Sequence, residues 1–492
     1  MSTFRKCLSL LLALGFVAAI THVDSANASD WARFRGPNGS GISPDAAPAP
    51  VTWSETENLK WSVELPGRGV SCPIVVGDRV YVTSWTGDGA DDLVRHLVCY
   101  DRATGKQIFD KSVEPAVKDE PYEGMLQQTG YTANTAASDG ERIYCFFGVS
   151  GVYAFDMDGN EIWHKSVGTN FDERHWGTAS SLDLCKDLVI ITAASESNSI
   201  VALKKSSGDE AWKYDSQQLD GTWSTPIVVE LADGRQELIF SVPGAVWAFD
   251  PATGKQNWTC KGAESNSACA SAIAHGDVVY AIGGRDGGGM AIRAGGSGDV
   301  TESHVVWSGN QRARIGTPIY HDGLIYWIAD GMANCIDAET GEKVYQERLK
   351  AQQEVAQIRS PFHLVAEETP AATAPSDTAP SDSSPAQATD NQGGERGQGQ
   401  GRGPGGGRGR GRGGRGGGGF MSQDYASPVA ADGKMYFTRR TGDVYVFALG
   451  REFKQLAVNK FPGEADYSST PAIADGQIFI RSSKKLYCVA NE

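Results

Sequence analysis

The chain has 492 residues, 40% of them hydrophobic, and carries a net charge of −15 at neutral pH. A surface that acidic repels nucleic acids and other polyanions, so no nucleic-acid partner is expected. The length fits two or three ordinary domains or one large repeat architecture, and the spacing of repeats decides between them.

Residues 1–28 read as a secretory signal peptide. Arg5 and Lys6 form the basic start, Leu8 to Ile20 the apolar stretch, and Ala26-Asn27-Ala28 the cleavage site. The apolar stretch is shorter than the ~20 residues of a spanning helix, and no second one follows, so no transmembrane segment is expected. Cys7 precedes the apolar stretch and cannot be the lipidated cysteine of a lipoprotein. Removal of the segment takes away Arg5 and Lys6 against Asp24, and the net charge passes from −15 to −16. The mature chain is expected to be exported, to the periplasm or outside the cell, as a monomer.

Residues 29–57 form an N-terminal extension. From residue 58 the chain repeats a unit at intervals of roughly 40 to 60 residues, the range of a four-stranded propeller blade. Each of eight copies opens on a small residue, often followed by proline, and a short apolar strand, as in Ser71-Cys72-Pro73-Ile74, Thr317-Pro318-Ile319 and Ser427-Pro428-Val429. A third strand carries a small residue followed by a large apolar one. The small slot is filled by Cys99, Ala154, Ala202, Ala248, Ala291, Cys335, Ala448 and Cys488, and the large slot by Tyr100, Phe155, Leu203, Phe249, Ile292, Ile336, Leu449 and Val489. Eight fillings by Ala or Cys imply a site where two sheets close on each other.

A turn such as Asp101-Arg102-Ala103-Thr104-Gly105-Lys106 or Asp250-Pro251-Ala252-Thr253-Gly254-Lys255 follows, in which Asp bonds the turn backbone and Gly supplies positive φ. The fourth strand then bears an aromatic residue, Phe109, Trp163, Trp212, Trp258, Trp307 or Tyr345. The last copy lacks this strand, and Asn58-Leu59-Lys60-Trp61-Ser62-Val63 supplies it from the other end of the chain. The expected fold is therefore an all-β, eight-bladed β-propeller of four-stranded antiparallel blades, closed by an N-terminal strand in the last blade. The propeller spans 58–365 (closing strand and blades 1–6) and 420–492 (blades 7–8). Between them, 366–419 is rich in Ala, Pro and Ser and then in Arg and Gly, a composition expected to stay disordered.

Motifs of chemistry are sparse. The histidines lack His-x-His and His-Glu-x-x-His spacing and no Cys-x-x-Cys occurs, so no metal site is expected. The eight cysteines beyond the signal read mostly as small buried residues, and most carboxylates that can be placed read as turn caps. The loops leading into the first strands should line the central funnel. They carry Arg68, Tyr131, Asn134, His175, Trp176, Trp223, Arg314, Asp424, Tyr425, Asp466 and Tyr467, a set that suits a planar anion or a peptide segment, or that merely fills the channel mouth. No catalytic residue is assigned; His175, Asp424 and Asp466 are the first general bases to test.

The segment Trp31-Ala32-Arg33-Phe34-Arg35-Gly36-Pro37-Asn38-Gly39, followed by copies built on Ser-x-Pro, Tyr-Asp and Thr-Gly-Lys-x-x-Trp, resembles the pyrroloquinoline quinone (PQQ) binding-like β-propeller repeat family, in particular its secreted planctomycete-type members. The resemblance covers the mature chain except 366–419. One branch implies PQQ and Ca²⁺ held in the funnel, an aspartate base and a disulfide of adjacent cysteines; this chain has no adjacent cysteine pair. Another branch, similar to the propeller lipoprotein of the outer-membrane barrel-assembly machinery, implies a non-enzymatic scaffold. Three functions stay open: an envelope scaffold or binding protein with no cofactor and a protein or polymer partner; a PQQ/Ca-dependent alcohol or sugar dehydrogenase; and a polysaccharide-binding propeller stacking sugars on Trp176 and Trp223.

Overall fold

Short apolar strands separated by Asp and Gly turns pair with their nearest neighbours in sequence, and repetition of that local rule builds eight separate sheets. The computed structural model describes residues 30–262, 266–284, 287–352, 423–461 and 465–492. The expected signal peptide 1–28 and insertion 366–419 lie outside the described residues, and no described helix is long and apolar enough to cross a membrane.

Each sheet is an antiparallel meander. Blade 1 comprises Ile74–Val76, Arg79–Thr86, Val94–Asp101 and Gln107–Val113. Blades 2 to 7 begin at Ala137, Asp183, Ile227, Ile273, Ile319 and Val429. First strands of neighbouring blades approach each other around the axis. Fourth strands form the rim, where alternation leaves the central Trp of Glu161–Lys165 buried between exposed neighbours. Blade 4 gains a short fifth strand, Gly298–Asp299, from an enlarged turn of blade 5.

The ring closes through blade 8. Ala472–Ala474, Gln477–Arg481 and Lys485–Val489 come from the C-terminus, and Leu59–Glu64 pairs antiparallel with the last of them, setting Trp61 opposite Cys488. The same opposition recurs as Phe109 with Cys99, Trp163 with Ala154, Trp212 with Ala202, Trp258 with Ala248, Trp307 with Ala291 and Tyr345 with Cys335, each beside a β-bulge. The slot is small because a large ring lies across it. Blade 7 departs from the sequence expectation: Val446 and Phe447, not Ala448 and Leu449, occupy the slots, because Val446 faces Ala457 and the missing ring leaves room for the larger residue.

Four of the rings also bond the next blade. The indole N–H groups of Trp61, Trp163, Trp212 and Trp307 donate to the carbonyls of Arg102, Lys205, Pro251 and Ala338, all at 2.9 Å. Those acceptors lie in the neighbouring blade's turn, whose glycine lies flat against the ring: a Cβ on Gly105, Gly208, Gly254 or Gly341 would meet it at 2.4 to 2.7 Å. The turns are built as their composition implies, with Thr104 N and Oγ1 donating to Asp101 Oδ1 and Gly105 N to Asp101 O. Burying one indole in this way is worth about 4 to 6 kcal/mol by area.

A second set of bonds joins the blades near the axis. The residue opening each copy donates its N–H to the hydroxyl of the next: Cys72 to Thr135, Thr135 to Ser181, Ser181 to Thr225, Thr225 to Ser271, Ser271 to Thr317, Thr317 to Ser427 and Ser427 to Thr470, at 2.9 to 3.0 Å. Cys72 is the one thiol of the series; at that interface Ser469 Oγ and Arg481 Nη1 donate to Ser71 O instead. Thr135→Val keeps the shape and strands the Cys72 N–H, so a stability loss of about 1–3 kcal/mol is expected in urea denaturation. A variant as stable as the parent would show that the hydroxyl ring contributes nothing.

Candidate functional site

The channel has two unlike ends. At the end where first strands turn into second strands, residues 30–45 of the extension run across the opening. Gly77 N donates to Asp30 Oδ1, Trp31 bridges to Val75, Ser138 N donates to Ala32 O, Arg33 pairs with Asp183, and Asp475 N donates to Asp45 Oδ2. Asn38 exchanges two hydrogen bonds with Val228, and Ser43 N donates to Ala430 O. Arg35, 1% exposed, sits at the start of blades 6 and 7 and spends its guanidinium on five carbonyls: Gly39, Ser40, Thr317, Pro318 and Pro428. Burial pulls its pKa down to about 9, and it stays a cation at neutral pH. The Arg-Gly-Pro-Asn-Gly run carried this plug in the sequence, but nothing in its local pattern names partners hundreds of residues away.

The opposite end is the loop face, where the long loop 114–136 between blades 1 and 2 reaches blade 7: Gln128 Oε1 accepts from Tyr425 Oη at 3.1 Å and Arg440 Nη1 at 2.9 Å. Asp424 and Asp466 meet here through Arg439 and Arg440. Asp424 accepts from Arg439 Nε at 3.1 Å and from Arg440 N at 3.0 Å, and Asp466 accepts from Arg440 Nε and Ser468 Oγ. His175 bonds Glu120 instead, Nδ1 to Oε2 at 3.0 Å, from a backbone held at φ 55°.

The other funnel residues divide by burial. Arg68 lies 4.3 Å over Trp85, and Tyr131 packs edge-on to the same indole while its hydroxyl donates to Glu120 O. Asn134 is buried and donates to Ser180 O of the next blade. Tyr467 is buried in the blade 8 core, stacked with Phe461 and Tyr487. Arg314 is ion-paired with Asp330. Trp176 and Trp223 come together, rings 5.1 Å apart, half-buried, with Trp223 Nε1 donating to Gly177 O and Arg174 above the Trp223 ring.

Beside this pair lies a pocket that no motif in the sequence marks. Arg95, Asp119, Glu120, Asp172, Thr178 and Glu196 line a cavity of about 30 Å³ between the loops of blades 1, 2 and 3. Arg95 donates to Asp119 Oδ1 at 2.6 Å, and Asp172 accepts from Arg174 Nη1 and from the N–H groups of Arg174 and Trp176. Glu196 is 2% exposed and its Oε2 has no hydrogen-bond partner, nor has Asp119 Oδ2. Burial pushes the Glu196 carboxyl up to about 8, and the charges of Asp119 and Glu120 push the same way. Burial also raises Glu120, against the opposing pull of His175.

With this geometry in hand, comparison with known proteins places the chain. A family model described as outer membrane protein assembly factor BamB (PQQ_2) matches residues 36–175 and 148–377, more than half of the sequence. The chain belongs to this family. Among solved structures, BamB from Moraxella catarrhalis aligns with a TM-score of 0.54 at 11% identity, over 88% of this chain and 97% of that one. Quinohemoprotein alcohol dehydrogenase from Comamonas testosteroni aligns with a TM-score of 0.56 at 10% identity, over 95% of this chain and 81% of that one. At such identities the likeness is one of fold. No curated protein sequence matched.

For a BamB-family propeller the quinone question turns on donors. Among the described residues no group of three or more His, Cys, Asp or Glu side chains could hold a metal ion. PQQ is a tricarboxylate needing free cations, whereas Arg314, Arg439 and Arg440 are committed to Asp330, Asp424 and Asp466. The eight cysteines from Cys72 to Cys488 are all free thiols.

Glu196 yields a pH prediction. With its folded pKa raised from 4.5 to about 8, the native state keeps a proton that the unfolded chain has lost between those values. Its contribution to stability is thus complete below about pH 4.5 and lost as pH rises through about 8. Glu196→Gln has no proton to lose, so its stability relative to the parent should climb across that window and level off above it. Urea titrations of both proteins from pH 4.5 to 9 check this, and two curves that stay parallel would contradict it.

Proposed function

We propose that this protein is an exported, non-catalytic binding propeller of the cell envelope, which holds a protein or polymer partner on its loop face. The observation that carries this reading is the state of the three candidate bases: Asp424 and Asp466 are tied to Arg439 and Arg440, and His175 is tied to Glu120. These contacts make all three side chains braces of the loop face, the work expected of a surface built to hold a partner. The Trp176 and Trp223 pair, half-buried at the rim, is the kind of rigid aromatic anchor on which binding surfaces concentrate their energy. Membership of the BamB family and the sequence signature of export support an envelope setting.

Two measurements test this together. Titration of the mature chain with PQQ and Ca²⁺ should give no saturable binding and no dye-linked dehydrogenase activity; turnover would overturn the reading. The double variant Trp176→Ala, Trp223→Ala should lose envelope partners that the parent retains, by about tenfold or more in affinity. Retention at full strength would remove the loop face from the account.

A further inference from the structure

We infer that the cavity between the loops of blades 1, 2 and 3 is a receptor for a primary ammonium group, as carried by a lysine side chain. The inference rests on the proposed binding role of the loop face and names the chemistry that one part of that face selects. Four buried carboxylates, Asp119, Glu120, Asp172 and Glu196, line the cavity. Beside them stand Arg95 on Asp119, His175 on Glu120 and Arg174, which Asp172 shares with Asp220, while Glu196 has no cationic partner among the described residues.

Two acceptor atoms are left over there. Glu196 Oε2 and Asp119 Oδ2 are buried without a partner, a condition that costs free energy until a donor arrives. A –NH₃⁺ head offers three donors and no acceptor, the complement of two orphaned carboxyl oxygens. Size agrees. The cavity of about 30 Å³ has room for a water-sized group such as an ammonium. Geometry argues against a metal ion, since no three acidic or histidine side chains among the described residues converge as a ligand set.

The cavity also opens outward. Exposed Asn170 and Phe171 frame its mouth, where the aliphatic stem of a lysine can lie along the Phe171 ring. Burial holds the Glu196 carboxyl protonated near neutrality, and an arriving cation would favour its ionised form.

The test titrates the full mature chain by calorimetry at pH 7.5 with three probes: a short peptide with one central lysine, the same peptide with that lysine acetylated, and n-butylamine. The lysine peptide should bind saturably and the acetylated one should bind at least ten times more weakly. Glu196→Gln preserves shape and relieves burial of an acid, so it should fold, and it should lose affinity for the lysine peptide by at least tenfold. Butylamine binding as well as the peptide would assign the site to free amines, and peptide-only binding to polypeptide lysines; either supports an ammonium receptor. Equal binding of both peptides, no binding of any probe, or unchanged affinity in Glu196→Gln would overturn it. The two proposals fail separately. If Glu196→Gln is silent while Trp176→Ala, Trp223→Ala still abolishes partner capture, the binding propeller stands and the ammonium receptor falls.

Discussion

Neighbouring blades are held by one contact repeated around the ring: an aromatic side chain on the outer strand of one blade lies flat on a turn glycine of the next, and an indole N–H caps the turn carbonyl. Both halves are needed. The ring needs a small residue behind it in its own sheet and a Cβ-free residue in front of it in the next. The sequence regularities follow from that demand, from Ala or Cys in the third strand to Gly in the turn. Where a partner changes, the contact is rebuilt by other means. Trp258 donates to the buried carboxylate of Glu237 because blade 5 replaces its tight turn with a longer excursion. Tyr345 packs on Phe453 of blade 7 instead of a glycine. Blade 7 has Ala457 on its outer strand, and the chain from Val51 to Trp53 binds Asn459 beside it.

A closed ring of eight blades leaves an axial channel, and its treatment decides what the molecule can do. The hydroxyl series from Thr135 to Thr470 ties the first strands together, and the extension then crosses one end, where Arg35 bonds blades 6 and 7. A guanidinium satisfied by five carbonyls needs no counter-ion nearby, and it has no substitute among the other side chains. The other end is the loop face, where loop 114–136 reaches across to blade 7 and brings Asp119 and Glu120 beside Asp172 and Glu196.

The blade count, the clasp by Trp61 and the turn geometry were legible in the sequence because each is a local pattern repeated many times. The slot assignment failed in blade 7, where Val446 trades volume with Ala457 and the Ala-or-Cys rule no longer holds. The site was less legible. Membership of the loops leading into the first strands located Trp176, Trp223, Asp424 and Asp466, but not which of them would meet. Arg35 was visible only as part of the family segment, without its partners, and Asp119 and Glu196 left no trace, since their roles come from partners brought together by ring closure; a single Glu in a short helix between strands looks like any surface acid until its burial is known.

The central claim is that the ring is held by aromatic-on-glycine contacts between blades, and a double-mutant cycle at the clasp measures it. Gly105 sits at φ 71° with the Trp61 ring 2.6 Å from the site of any added Cβ. In a Trp61→Ala background, Gly105→Ala should cost only its backbone strain, about 1–2 kcal/mol in urea denaturation. In the parent it should cost clearly more, with a coupling of about 1 kcal/mol or greater between the two sites. Equal costs in the two backgrounds would mean that Trp61 and Gly105 do not bear on each other, and the account of how the blades are joined would fail.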